Sequence, residues 1–172
     1  ESKLRQTTAD TPRIEEYDFD CDGHDELLVT SPHHKLIFAP SQGGTLVELD
    51  DFTAGKNLID LVGRRPEAYH QQLLQKQEKS EGVKSIHDRV SAKEEGLEKL
   101  LAEDWYRHGC FVDHLLGPAV TPEQFAVAQY EELGDFVNQP YQIQHEQSAA
   151  ELKWTLERAG GVWQDGQLRQ LR

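Results

Sequence analysis

The stretch Glu26-Leu27-Leu28-Val29-Thr30-Ser31-Pro32-His33-His34-Lys35-Leu36-Ile37-Phe38-Ala39 decides the fold class. Two short runs rich in Leu, Val, Ile and Phe flank the turn-forming residues 31–34 (SPHH), a pattern that predicts a β-hairpin. Residues 39–44 (APSQGG) read as a second turn. A third strand is expected over 45–49, with Thr45, Val47 and Leu49 on one face and Leu46 and Glu48 on the other, because strand side chains alternate.

The last third of the chain has the same character. Residues 125–137, 141–146, 151–158 and 162–171 are β-like runs, punctuated by Gly134-Asp135, by 138–140 (NQP) and by Gly160-Gly161. Leu152, Trp154 and Leu156 alternate with Lys153, Thr155 and Glu157, the period of a half-buried strand. Between these β-like regions the pattern turns helical. Residues 57–62 read as a helical turn, and Pro66 suits the start of a mostly solvated helix over 67–79, with Leu73 and Leu74 as its aliphatic residues. A second helix is expected over 94–105, where Leu97, Leu100, Leu101 and Trp105 recur at helical spacing. Thr121 and Pro122 read as an N-cap followed by proline at the first helical position. The fold class is mainly β with helical insertions, and strands in series with turn signals favour a sandwich.

Composition narrows the function. The chain has 172 residues, 37% of them hydrophobic, which is enough for a real core. Eighteen basic against 31 acidic residues leave a net charge of −13, which argues against nucleic acid and anionic lipid as partners. Mean hydropathy is −0.71, and no apolar run suggests a membrane span. Cys21 and Cys110 are the only cysteines, and two lone thiols suggest a reducing compartment. The chain starts at Glu1 without a visible signal peptide, ends in 167–172 (QLRQLR) as if a strand were under way, and has no methionine. It reads as an excerpt of a longer polypeptide. Residues 1–16 are expected to be a linker or frayed segment.

The sharpest chemical signal is 18–26 (DFDCDGHDE). Asp18, Asp20 and Asp22, with Gly23 at the sixth position, match the oxygen-ligand spacing of a calcium loop, with His24 offering a backbone carbonyl and Glu26 at the ninth position. Val29 stands where an EF-hand needs its bidentate glutamate, so the loop is of the shorter kind that leads straight into a strand. Two readings stand: a structural calcium site, or a solvated acidic turn whose carboxylates repel one another.

Other constellations are weaker. Asp50-Asp51, Glu94-Glu95, Glu103-Asp104 and Glu131-Glu132 are adjacent acids of the kind that arise by chance in an acidic chain. His87, Asp88 and Arg89 read either as a polar turn or as a loop that touches a ligand, since catalytic triads converge in space rather than in sequence. His33-His34 and Asp113-His114 lack the spacing of a zinc site. Among the aromatic residues Trp163, beside a Gly-Gly turn, is the best candidate for a sugar-stacking platform, with a core role as the alternative for all of them.

Several strings occur in a fixed order: 18–28 (DFDCDGHDELL), 38–49 (FAPSQGGTLVEL), 64–70 (RRPEAYH), 85–90 (SIHDRV), 93–98 (KEEGLE), 104–107 (DWYR), 111–114 (FVDH) and 134–136 (GDF). Together they resemble the C-terminal β-domain of glycoside hydrolase family 57, in its α-amylase and 4-α-glucanotransferase branch. The resemblance implies a galactose-mutarotase-like β-sandwich (a supersandwich), of which 17–172 would be the N-terminal part. It also implies a parent enzyme acting on α-glucan. Its catalytic glutamate and aspartate would lie on an N-terminal barrel in cis that this chain does not contain, so no catalytic residue is carried over. The domain would pack on that barrel and help to frame the glucan cleft, with Arg65, Trp105, Tyr106 and Arg107 as interface residues. The resemblance adds some weight to a sugar role for 87–89 and for Asp113-His114, and together with the thiols it implies a cytoplasmic location. The rival functions are a free-standing carbohydrate-binding module and a calcium-stabilised structural or interaction domain.

Overall fold

A computed structural model describes residues 11–59, 63–70, 101–148 and 151–171. The chain divides into two units, the first formed by Glu1–Val62, Tyr106–Gly117 and Glu131–Arg172, the second by Gly63–Trp105 and Pro118–Tyr130.

The first unit is built on a five-stranded antiparallel sheet in sequential order: β1 (Arg13–Tyr17), β2 (Glu26–Thr30), β3 (His34–Ala39), β4 (Thr45–Asp51) and β5 (Lys56–Asn57). The expected hairpin is β2–β3. Ser31 closes it: the Ser31 N–H donates to the His34 carbonyl at 2.8 Å, and the Ser31 hydroxyl oxygen accepts the His34 N–H at 3.0 Å. All five residues of β2 are buried, as befits an internal strand covered on both faces.

Two expectations change. β1 begins at Arg13, so the boundary placed after residue 16 falls inside a strand: Arg13, Ile14, Glu15 and Glu16 pair with Thr30, Val29, Leu28 and Leu27. Three charged residues in five hide this strand from a hydrophobic pattern, and its sheet partner, not its own composition, orders it. In β4 the register shifts beside Ile37 and Phe38, so Val47 is an extra residue and Leu46 and Leu49 both fall on one face, opposite Phe38 and Leu36. Strict alternation put them on opposite faces; a β-bulge adds one residue and resets the phase.

That face carries the core. Leu27, Val29, Phe38 and Leu46 form its buried cluster, and Leu36, Leu49, Ile14 and Ile59 pack around it. Burial of each such side chain contributes about 1.5–3 kcal/mol. The hairpin of β6 (Gln142–Gln147) and β7 (Leu152–Glu157) lies over the cluster through Ile143, Leu152, Trp154 and Leu156. The alternation read in 152–157 is therefore real, and sheet and hairpin make a sandwich. Residues 57–59, expected as part of a helical turn, instead hold the last residue of β5 and a side-chain turn in which Asn57 Oδ1 accepts the Ile59 N–H at 2.9 Å.

The final run splits into a second hairpin, β8 (Gly160–Gln164) and β9 (Gln167–Leu171). Asp165 and Gly166, at φ 51° and 72°, make its two-residue turn. Over 125–137 the continuous strand does not form. The described residues there hold the end of a short helix and two isolated bridges, Leu116 with Glu132 and Gly134 with Val162.

In the second unit the described residues include the helix Pro122–Ala126, capped as anticipated: the Thr121 hydroxyl accepts the Gln124 N–H at 3.3 Å, and Gln124 Oε1 accepts the Thr121 N–H at 2.9 Å. Arg64 is fixed by Asp104, whose side chain is 2% exposed; the Nε–Oδ2 distance is 2.9 Å, and Arg64 also bonds the Ala126 carbonyl. The expected helix bodies over 71–79 and 94–100 lie outside the described residues; 101–104 are not helical.

Candidate functional site

The loop between β1 and β2 carries four aspartates, Asp18, Asp20, Asp22 and Asp25. Asp18 organises it: Oδ1 accepts the Asp22 N–H and Oδ2 the Gly23 N–H, both at 3.0 Å. Asp22 Oδ1 accepts the His24 N–H at 2.9 Å. Cys21 and Gly23 take positive φ, 61° and 91°, which curls the backbone around these carboxylates. One oxygen from each of Asp18, Asp20 and Asp22 lies within 4.8 Å of the others. The Glu26 carboxylate, expected in the same ligand set, is not in that group, while the contribution expected of His24 is a backbone carbonyl rather than its ring.

Glu26 has a different part. It is 2% exposed, and Oε2 accepts the Phe19 N–H at 2.9 Å, tying the loop to the first residue of β2. Burial pushes its carboxyl above the usual range, and the charges of Asp20 and Asp22 push the same way, against the lowering effect of the Phe19 N–H.

Two residues that sequence reading did not connect to this loop bind it from afar, and one of them, Arg107, brings a positive charge. Arg107 Nη1 donates to Asp20 Oδ2 at 3.1 Å and to Gln42 Oε1 at 3.0 Å. Gln42 Nε2 in turn donates to Asp22 Oδ2 at 3.0 Å. Arg107, expected at a domain interface, thus turns toward the acidic loop of its own unit. Both residues stood within the quoted strings, but nothing local signals a partner 87 positions away.

A second polar group lies nearby in the chain. His114 Nδ1 is 2.7 Å from Glu132 Oε2, with side chains only 12% and 10% exposed, and Glu132 Oε1 accepts the Leu115 N–H at 2.7 Å. Tyr106 meets the His114 ring edge-on at 4.7 Å and stacks on His108 at 5.2 Å. The Tyr141 hydroxyl donates to Asp113 Oδ2 at 2.6 Å, and burial followed by that carboxylate raises its pKa. Asp113 and His114 therefore serve separate partners and do not converge on one ligand position.

Trp163 is 57% exposed on β8, directly across from Leu168 at 53%. His87, Asp88 and Arg89 lie outside the described residues.

The model of the family described as "Alpha-amylase/4-alpha-glucanotransferase, C-terminal" matches residues 18–171. The chain belongs to this family. Alpha-amylase 1 of Dictyoglomus thermophilum is 44% identical to it over 103 residues, covering 60% of this chain and 15% of that protein. The 4-alpha-glucanotransferase of Thermococcus litoralis is 34% identical over 149 residues, covering 85% of this chain and 22% of that protein. The crystal structure of 4-alpha-glucanotransferase from Thermococcus litoralis superposes with a TM-score of 0.71 at 30% identity, covering 90% of this chain and 22% of that one. As a member of the family, the chain is a mainly β C-terminal domain, and it spans about a fifth or less of the length of these relatives.

Proposed function

We propose that this chain is the non-catalytic accessory domain of an enzyme that hydrolyses or transfers α-glucan chains, held in cis against the catalytic part of the same polypeptide. The observation that carries the reading is the family match over 18–171 in a chain that spans only 22% of a 4-alpha-glucanotransferase. The carboxylates of Asp18, Glu26, Asp113 and Glu132 support it: each accepts a hydrogen bond that holds a loop or a neighbouring segment. The test is a paired assay. The isolated chain is expected to release no sugar from soluble starch and to transfer none between maltooligosaccharides, while deletion of the domain from the parent enzyme lowers its melting temperature and its activity. Turnover by the isolated chain would overturn the reading.

The exposure of Trp163 favours a second reading in one respect, glucan contact through β8. His87, Asp88 and Arg89 stay with it as sequence candidates. A structural calcium ion at Asp18, Asp20 and Asp22 belongs to the same proposal. The ligand spacing of the sequence is what supports it, while the Arg107 guanidinium on Asp20 supplies part of the positive charge that an ion would bring. A cytoplasmic location rests on the thiols Cys21 and Cys110, which are not paired with each other. Among the described residues no helix is long and apolar enough to cross a membrane.

A further inference from the structure

Phe111 is 71% exposed, more than Trp163 at 57%, and it sits at φ 64°. Left-handed backbone suits glycine, asparagine or aspartate; for a bulky aromatic residue it is strained. Asn138 and Asp165 take similar angles in the same unit with side chains made for it, at 57° and 51°.

The strain is held in place from both sides. Cys110 and Leu46 exchange two backbone hydrogen bonds, at 2.9 and 3.0 Å. Gly109 lies so close to β4 that a Cβ there would be 2.7 Å from Thr45 Cβ. On the other side Asp113 accepts the Tyr141 hydroxyl at 2.6 Å, and His114 is bonded to Glu132 at 2.7 Å. Phe111 is thus not the tip of a slack loop. It is an aromatic ring presented outward by a backbone pinned before and after it, and strain on a rigid support persists where the surroundings impose it.

We infer that Phe111 is an anchor by which this domain docks on the remainder of its parent polypeptide, an inference that rests on the accessory-domain reading above. The occupant is argued from two observations. The chain spans 15% and 22% of two relatives, so most of a parent of that size lies beyond these residues and is available to cover the ring. The acids around Phe111 are already engaged, Asp113 with Tyr141 and Glu132 with His114 and Leu115, whereas a sugar platform needs polar groups beside the ring to meet hydroxyls. A single fixed aromatic residue suits a protein contact, where a few such anchors concentrate the interaction energy.

The experiment uses the full-length parent enzyme, calorimetry of wild type and Phe111→Gly, and the same pair in the isolated chain. The expected result is one coupled transition in the wild-type parent that splits in two, or falls by several degrees, in Phe111→Gly. The isolated variant melts no lower than the isolated wild type, because glycine relieves the positive φ. Phe111→Trp retains the coupling. If the wild-type parent already shows two independent transitions, the accessory-domain packing itself fails. If the wild type is coupled and Phe111→Gly leaves it so, the anchor fails alone. A fall in the isolated variant means that the ring packs within this chain, and a loss of maltooligosaccharide affinity at unchanged coupling means that it binds sugar; either overturns the proposal.

Discussion

The Trp154 ring lies 5.8 Å from the Phe38 ring, tilted by 55°. This contact joins the β6–β7 hairpin to the five-stranded sheet, and it links residues far apart in the chain. Aromatic pairs in such tilted arrangements contribute about 0.5–1.5 kcal/mol beyond the area they bury. Trp154→Ala removes that and leaves a cavity over Leu27 and Phe38, so a loss of about 3 kcal/mol is expected. A urea titration followed by circular dichroism reads it as a lower midpoint. Trp154→Phe is expected to restore most of the loss.

Glu48 gives the fold a pH dependence. Burial raises its carboxyl above the usual 4.5, and the hydrogen bond and charge of Asp50 raise it further against the pull of Lys35. The folded state therefore holds this proton more tightly than the unfolded chain does. The penalty is absent where both states are protonated, below a pH of about 4, and grows as pH rises through the elevated folded value. Glu48→Gln is expected to be more stable than wild type at pH 7 and equal to it at low pH. Urea midpoints measured across that range check it; a constant difference at every pH would mean that the carboxyl is not the cause.

How much of this was legible in the sequence depends on how local each signal is. The β2–β3 hairpin, the alternation of 152–157 and the Thr121 cap all lie within a few residues, and all three form. β1 was not legible, because Glu15, Glu16 and Arg13 mask a strand that its neighbour in the sheet orders. The bulge at Val47 was not legible either, since it is a property of the pairing and not of one strand. The turn at Asp165-Gly166 was a missed signal: that dipeptide is among the strongest short-range marks of a hairpin. The acidic loop announced itself at once. Its partners Arg107 and Gln42 did not, because charge complementarity across the chain leaves no periodic trace.

The same loop yields a test of its proposed ion. Calcium at 100 times its dissociation constant adds roughly 2.7 kcal/mol, a rise on the order of 5–10 °C in a chain of this size. A melt in calcium against EDTA is expected to show that rise, and Asp20→Asn to abolish it. Arg107→Gln is expected to enlarge it, since the guanidinium occupies Asp20 in the apo loop. Equal melting in calcium and EDTA for both wild type and Arg107→Gln would falsify the calcium site and leave a closed acidic turn.

Trp163 separates the sugar-contact reading from a merely exposed side chain. With more than half its surface open, Trp163→Ala is expected to change stability by less than about 1 kcal/mol. If β8 touches glucan, the parent enzyme loses maltooligosaccharide affinity several-fold at unchanged melting temperature. Unchanged affinity removes Trp163 from the glucan path.

The burial of every residue in β2 has a kinetic consequence. Its backbone amides are locked between β1 and β3 and shut off from solvent on both faces. Such amides exchange with deuterated solvent only when the whole unit opens, whereas those at the exposed β9 exchange through local fraying. The slowest-exchanging amides of the first unit should therefore map to Leu27, Leu28 and Val29, and their rate reports the global unfolding free energy of the unit that carries the acidic loop.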